Sequence, residues 1–207
     1  MDLTTMRANV RKDLHDEDSG NYRWTDAVLN RHIDRAVKEY QVARPRSGTA
    51  TVAATASRRY DLSAQSGYLW CERVEYPIDD DPPKYLEFRE EGGGSVYLLC
   101  DEAPVAGQNI KFWYARAHTL EGSSSTIPVE DEELVALGAA AHAAIEWANY
   151  AVGRINVGER TAEQYKSWGE AGLAEFRSRL ESLCLQQAFS SPYTTHWGAV
   201  PKTWKDV

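Results

Sequence analysis

Two side chains on one predicted helix are the first candidates for chemistry. His142 and Glu146 are four residues apart, and a helix places residues at this spacing on one face. A histidine and a carboxylate so placed can begin a metal site, but the sequence offers no evident third and fourth ligand. We therefore favour a hydrogen bond between the two side chains, or a pair on the surface, and predict no metal ligand.

The other candidate ligand-binding motifs are loops. Asp79–Asp81 is an acidic run that could attract Ca²⁺, yet it lacks the spaced ligands and the glycine of a calcium loop. Gly92–Gly94 is followed by no predicted helix, so it is typical of a hairpin tip rather than of a phosphate-binding loop. Both stretches are expected to be solvated turns.

Signatures of catalysis are absent from the sequence. It contains no GxSxG, no HExxH, no P-loop and no GxGxxG after a predicted strand. The two acids of a glycosidase can meet from any positions in a fold, and nothing in the sequence singles out such a pair. We predict no catalytic residues and no cofactor, and we expect a protein that is not an enzyme.

The charge of the chain limits its partners. Its 207 residues are 43% apolar and 26% charged, as in a folded soluble protein, and the net charge is −8. No segment has the basic excess that tight binding to phosphates requires. An acidic protein can still surround a DNA duplex without gripping it, because like charges keep the duplex away from the wall.

The sequence shows neither a targeting segment nor a framework of paired cysteines. The stretch MDLTTMRANV lacks the apolar region of a signal peptide, and Val135–Ile145, the longest run of low polarity, is too short to span a bilayer. We therefore expect no membrane partner. Cys71, Cys100 and Cys184 are widely spaced, which favours reduced thiols and folding in a cytosol.

Two short helices are predicted at the N-terminal end, joined by an elbow. Leu3, Met6, Val10 and Leu14 share one helical face, and the acidic stretch from Asp16 to Gly20 is expected to end this helix. Thr25 is a good N-cap for the second helix, which Pro45 closes. Trp24 before the cap and Leu29 after it have the spacing of a hydrophobic staple, which fixes the angle of the restart.

The sequence pattern of residues 47–120 is typical of an antiparallel β module. Short runs rich in aromatic and β-branched residues alternate with turn clusters. Alternation places Ile110, Phe112 and Tyr114 on one strand face, and Trp70, Val74 and Tyr76 on another. We predict five or six strands, arranged as a small sandwich or half-barrel. The runs are Thr49–Thr55, Arg59–Leu62, Tyr68–Ile78, Tyr85–Arg89, Ser95–Cys100 and Asn109–Ala117.

Two more helices follow. The first begins after Pro128, and its small residues over Gly138–Ala144 would let another helix approach closely. The last is expected to be capped by Thr161 with Gln164 as a capping box. Its apolar face would comprise Tyr165, Trp168, Gly172, Leu173, Phe176, Leu180 and Leu183.

The predicted fold class is therefore α+β: an antiparallel bundle of about four helices with an inserted antiparallel β module and an extended C-terminal tail. The predicted domain boundaries lie where the pattern of apolar residues changes from helical to strand spacing or ends. Residues 1–46 supply the N-terminal helices of the bundle, 47–120 the β module, 121–187 the C-terminal helices and 188–207 an extended arm.

The arm is rich in aromatic residues, whereas disordered termini are usually poor in them. Packing back on its own bundle is one interpretation of the arm, since ordered termini must be tied down. Docking in a groove of a neighbouring molecule is the other, because Trp and Tyr commonly anchor such contacts. The candidate partner-contact residues are Phe189, Tyr193, Trp197 and Trp204.

Four blocks of the sequence resemble the head–tail adaptor (connector) proteins of tailed bacteriophages and prophages. The similarity extends over roughly residues 5–183, and the blocks are specific as a set rather than singly. Residues 187–207 have no match in the group. The blocks are RKDLHDEDSGNYRWTDAVLNRHIDRAV from Arg11, VEYP at Val74–Pro77, SSSTIP at Ser123–Pro128 and WANYAVGRINVG at Trp147–Gly158.

The resemblance implies a structural virion protein. Such adaptors form a homo-oligomeric ring, usually of about twelve copies, beneath the portal protein, where one contact repeated around the ring closes it. The ring extends the DNA channel without specific DNA binding and carries the next neck or tail protein. The C-terminal segment of related adaptors commonly reaches the portal. A protein of this kind is made in the host cytoplasm and resides in the neck of the virion.

Two other functions remain open at this point. The first is another neck component, such as a stopper or tail-completion protein, which composition does not distinguish from an adaptor. A virion-associated hydrolase would require a pocket with converging titratable groups, of which the sequence gives no sign.

Overall fold

A computed structural model describes residues 1–151 and 159–190 of the chain, with side chains over 1–151 and 161–186. The fold class is the α+β arrangement predicted from the sequence. The chain divides into two compact units, one of Met1–Arg44 with His118–Val207 and the other of Pro45–Ala117. The elements are α1 (Leu3–Asp13), α2 (Asp26–Ala43), β1 (Arg46–Ala53), β2 (Arg59–Asp61), β3 (Tyr68–Glu75), β4 (Tyr85–Leu86), β5 (Phe88–Gly92), β6 (Ser95–Leu98), β7 (Asn109–Arg116), α3 (Glu132–Ala151) and α4 (Glu159–Ser190).

The first two helices form where their caps and apolar faces predict them. The Asp2 side chain accepts a bond from the Thr5 amide at 2.7 Å, and Thr25 accepts one from the Val28 amide at 3.4 Å. Trp24 and Leu29, the predicted staple residues, are both buried in the core of the helical unit. The cap and the apolar spacing therefore predict the start of α2 and the buried faces of both helices.

The close packing of α3 and α4 depends on small residues. A Cβ atom added to Gly138 would lie 2.9 Å from the ring of Phe176, which is fully buried. A Cβ atom added to Gly169 would lie 3.0 Å from the carbonyl oxygen of Ala141. The prediction that Gly138–Ala144 admits a neighbouring helix is thus confirmed, and the neighbour is α4.

Helix α4 differs from its prediction in three respects. It begins at Glu159, so Thr161 lies inside the helix and the predicted capping box is wrong. Glu159 and Arg160 are good helix formers, and the helix therefore includes them instead of starting at Thr161. It ends at Ser190, so residues 188–190 are helical rather than extended, since the first strong breaker is Pro192. Trp168, predicted on the apolar face, is 41% exposed.

The β unit contains seven strands in two antiparallel sheets, with the orders β1-β7-β3-β4 and β2-β6-β5. The predicted number of strands, five or six, is too small by at least one. The run Tyr85–Arg89, predicted as one strand, is divided at Glu87 into β4 and β5, which belong to different sheets. The core between the sheets includes Val96, Leu98, Ile110 and Phe112, all fully buried.

The predicted inward face of β3 is partly wrong. Trp70 and Tyr76 are only partly buried, whereas Cys71 and Val74 are buried and pair with Tyr114 and Phe112 of β7. Register shifts after Tyr68 and after Cys71 break the simple alternation. A bulge turns the following side chains to the opposite face, and a pattern of period two cannot foresee it.

None of the helices in the described residues is both long enough and apolar enough to cross a membrane.

Candidate interaction site at the helix elbow

Arg11, near the end of α1, organises the elbow, which we define as residues 14–25 between α1 and α2. Its guanidinium donates to the Asp16 carboxylate at 2.6 Å, to the Trp24 carbonyl at 2.9 Å and to the Asp26 carboxylate at 2.8 Å. The side chains of Arg11 and Asp16 are both buried. One cation therefore ties the end of the first helix to the start of the second.

Asp16 has a larger role than ending a helix. The chain turns through His15, whose φ is 52°, and the Asp16 amide donates back to the Arg11 carbonyl at 2.9 Å. The Asp16 carboxylate then accepts bonds from the amides of Arg23 at 2.7 Å and Trp24 at 3.3 Å. The acidic stretch thus fixes the direction in which α2 begins, in addition to terminating α1.

Three aromatic rings meet beside the elbow and form what we call the aromatic cluster, namely Trp24, Trp147 and Tyr165. The ring centroids of Trp147 and Tyr165 are 4.9 Å apart, and that of Trp24 lies 6.3 Å and 6.1 Å from them. The Trp24 indole N–H donates to the Ala143 carbonyl at 3.3 Å. The cluster therefore joins the elbow to α3 and α4.

One exposed and one buried arginine stack on aromatic rings at this cluster. The Arg23 guanidinium lies 4.3 Å from the Trp147 ring centroid and 5.2 Å from that of Tyr165. The Arg11 guanidinium lies 3.6 Å from the ring of Tyr22, which is itself partly exposed. A guanidinium stacked on a ring keeps hydrogen-bond donors at its edge, so the exposed Arg23 can bind a carboxylate of another molecule, whereas the donors of the buried Arg11 are taken up within the elbow.

A pocket of about 320 Å³ opens at the elbow, lined mostly by polar side chains together with Trp24 and Tyr165. Nearby, the hydrogen bond from Arg11 and the positive charge of Arg7 hold the pKa of the Asp26 carboxyl below its usual value. The pocket thus combines fixed charges with the edges of aromatic rings.

His142 and Glu146 do not pair with each other as predicted. His142 Nε2 lies 2.9 Å from a carboxylate oxygen of Glu39 on α2, while Glu146 accepts from Arg31 at 2.6 Å. The two residues share a helix face, but the packing of α2 against α3 offers each a partner across the interface. In the part of the chain that the structure describes, no three His, Cys, Asp or Glu side chains are grouped as metal ligands.

His32 is a second histidine buried between α2 and α3. Its Nε2 lies 3.3 Å from a Glu146 carboxylate oxygen, without hydrogen-bond geometry. Burial lowers the pKa of His32 from 6.5 to about 4, and the nearby Glu146 charge offsets this only in part. His32 is therefore neutral at pH 7.

The buried His32 should make stability depend on pH. Between pH 6.5 and 4 the unfolded chain protonates this histidine and the folded chain does not, so stability falls as the pH is lowered. Between pH 6.5 and pH 4, we expect the free energy of unfolding to fall by about 2 kcal/mol more in the native chain than in His32→Gln, after allowance for screening by solvent. Urea unfolding of both chains across this pH range measures the difference. Parallel curves would contradict it.

Cys71 and Cys184 are not activated thiols. Burial, together with the Glu90 charge, raises the pKa of the Cys71 thiol to about 12, and burial also raises that of Cys184. A thiol with a raised pKa is a poor nucleophile at neutral pH. Among the described residues, all three cysteines are free.

The partner-contact residues predicted in the arm lie largely beyond what the structure describes. Phe189 falls in the last turns of α4, but its side chain is not among those described. Tyr193, Trp197 and Trp204 lie outside the described residues. Sequence reasoning missed the site residues Arg11, Arg23 and Trp147, whose only signal was membership of the resembling blocks. It named Asp16 only as part of the stretch that ends α1.

No family model matches the chain, and no curated protein matches it significantly. A solved structure of the neck of an empty GTA particle, computed with C6 symmetry, aligns at a TM-score of 0.32 and 13% identity over 80% of this chain and 88% of that chain. The virion of a native gene transfer agent (GTA) particle aligns at 0.31 and 13%, over 80% and 89%.

Proposed function

We propose that this chain is a structural protein of the neck of a tailed-phage-like particle. In this proposal it is a head–tail adaptor, which forms a ring beneath the portal, extends the DNA channel and joins the capsid to the tail. It has no catalytic role. The similarity of the two GTA structures is too low to support an argument, so the proposal rests on the sequence blocks and on where the fold places them.

The observation that carries the proposal is the meeting of two distant blocks at the elbow. The block from Arg11 to Val37 supplies Arg11, Asp16 and Trp24, and the block that begins at Trp147 supplies the ring that packs on Trp24. A third block places Ile127 in the core of the same helical unit. Two of the blocks that resemble one protein group therefore meet at the elbow, and a third lies in the same helical unit.

The chemistry of the site suits assembly. The aromatic cluster and the stacked guanidinium groups offer amphipathic contact area with little conformational entropy to lose. The acidic balance of the chain, −8 overall, suits a channel through which DNA passes without being held. In such a ring, the elbow would set the direction in which α1 projects.

Light scattering after size-exclusion chromatography tests the proposal. The chain mixed with the portal protein of the same particle should elute with the portal ring and add the mass of several copies. A monomer in the absence of portal would not count against the proposal, since the portal can template the ring. Separate elution from the portal at micromolar concentrations would contradict it.

A chain that ends at Gln187 tests the arm. We expect this truncation to keep the helical content and stability of the full chain, because the described core ends before residue 187, but to lose co-elution with the portal. A second variant keeps the length of the arm but replaces its aromatic residues with alanine, and it should lose co-elution with the portal as well. The replaced residues are Phe189, Tyr193, Trp197 and Trp204. Normal docking by either chain would exclude the aromatic arm as the portal contact.

A further inference from the structure

The β unit has four sheet edges, and three of them are protected against pairing with another chain. The edge strand β4 has two residues and follows Pro82 and Pro83, and β2 has three residues. The edge strand β5 carries the charged residues Arg89, Glu90 and Glu91. Short strands, prolines and charges are the usual means of preventing edge-to-edge association.

The fourth edge, β1, has none of these protections. It is eight residues long, Arg46–Ala53, and from Ser47 onward it contains no charged residue and no proline. It pairs with β7 on one side only. Over the described residues, no backbone hydrogen bond reaches its other side. Thr49 and Thr51 are exposed along it. An open edge of this length is a template for an added strand.

The same chain contains a segment with the sequence of a matching strand. Residues 193–200, YTTHWGAV, lie between Pro192 and Pro201 and equal β1 in length. They contain no Asp, Glu, Lys or Arg, and Tyr, Thr, Trp and Val are the residue types that favour strands. Prolines at both ends limit such a strand to this segment. This segment lies outside the described residues.

We propose that residues 193–200 of one copy add to β1 of a neighbouring copy as a fifth strand of the four-stranded sheet. An open edge and a strand donor are two different surfaces of one chain, which is what a repeated contact in a closed ring requires. Main-chain hydrogen bonds would supply the affinity. Side chains of the added strand would lie beside Thr49 and Thr51, and aromatic residues pair well with β-branched ones across strands.

This inference rests on the proposed ring, but it assigns a contact that the portal does not share. Residues 193–200 would bind the neighbouring copy, which leaves Trp204 and the residues around it to reach the portal. The two contacts can therefore fail separately in experiments.

Amide hydrogen exchange of the full chain, followed by NMR at a dilution where it is monomeric, tests the contact. The probe is a synthetic peptide of residues 191–207. The backbone amides of β1 that face away from β7 should exchange at least about tenfold more slowly when the peptide is added. The peptide is used at millimolar concentration, which is the effective concentration that a tethered arm supplies. The peptide with Thr195→Pro should give no protection, and the matched Thr195→Val peptide should protect like the natural one.

Three results would overturn the inference: no protection of β1, equal protection by the Thr195→Pro peptide, or full protection of β1 in the dilute chain before peptide is added. The last would show that the strand comes from the same chain. Because no portal is present, failure here leaves the portal experiment untouched. Conversely, protection of β1 combined with no portal binding would support the strand contact and refute the adaptor role.

Discussion

Replacing Trp24 with alanine is expected to lower the free energy of unfolding by about 3–5 kcal/mol, the usual cost of truncating a buried tryptophan. Trp24 is 4% exposed and packs against Trp147 and Tyr165. Its indole N–H also satisfies the Ala143 carbonyl. The variant removes the residue on which the elbow, α3 and α4 converge, so we expect ring assembly with the portal to weaken as well.

Trp168→Ala is the matched control for this experiment. Trp168 is also a tryptophan of the helical unit, but it is 41% exposed on α4. Its replacement should cost less than that of Trp24, because about two fifths of its surface is already in water whereas Trp24 is 4% exposed. Urea unfolding followed by circular dichroism measures both variants. Equal stability of Trp24→Ala and the native chain would show that the aromatic cluster does not hold the elbow.

Replacing Asp16 with alanine is expected to have a similar effect, a loss of about 3–5 kcal/mol, because it leaves the buried Arg11 guanidinium without its buried partner. It also leaves the amides of Arg23 and Trp24 without the carboxylate that accepts from them. The second helix would then begin without a fixed direction.

Asp26→Ala is the comparison for Asp16. Asp26 bonds the same Arg11 guanidinium, but its side chain is 60% exposed, so its loss should cost at most about 1 kcal/mol. A double-mutant cycle with Arg11→Met should give a coupling of about 1–3 kcal/mol between Arg11 and Asp16. A coupling near zero would mean that the two buried charges act independently, and the network described for the elbow would be wrong.

The parts of the fold that the sequence predicts well are those set by local chemistry. Thr25 caps α2, the apolar spacing of Met6 and Val10 marks the inner face of α1, and Gly138 marks a close helix approach. Each depends on residues within a few turns, or on the absence of a side chain. Such local rules predict the fold where tertiary packing agrees with them, as at these residues, and fail where it does not, as at the capping box predicted for Thr161.

The parts that the sequence did not predict depend on tertiary partners. His142 bonds Glu39, which is 103 residues away in sequence, rather than Glu146 on its own helix. Asp16 accepts from amides that reach it only because the chain reverses at His15. Trp168 has the helical spacing of an apolar face, yet it is 41% exposed. Which residues of a broad apolar face become buried depends on how the neighbouring helices pack against it. Spacing along one element cannot supply any of these facts.

Locating the chain in assembled particles tests the central claim most directly. Cryo-electron microscopy of the particles, compared with particles made without this chain, should show the loss of one ring of density directly beneath the portal, together with failure to attach tails. Placement of the chain in the capsid shell or at the tail tip, its absence from particles, or unchanged necks in its absence would contradict the account.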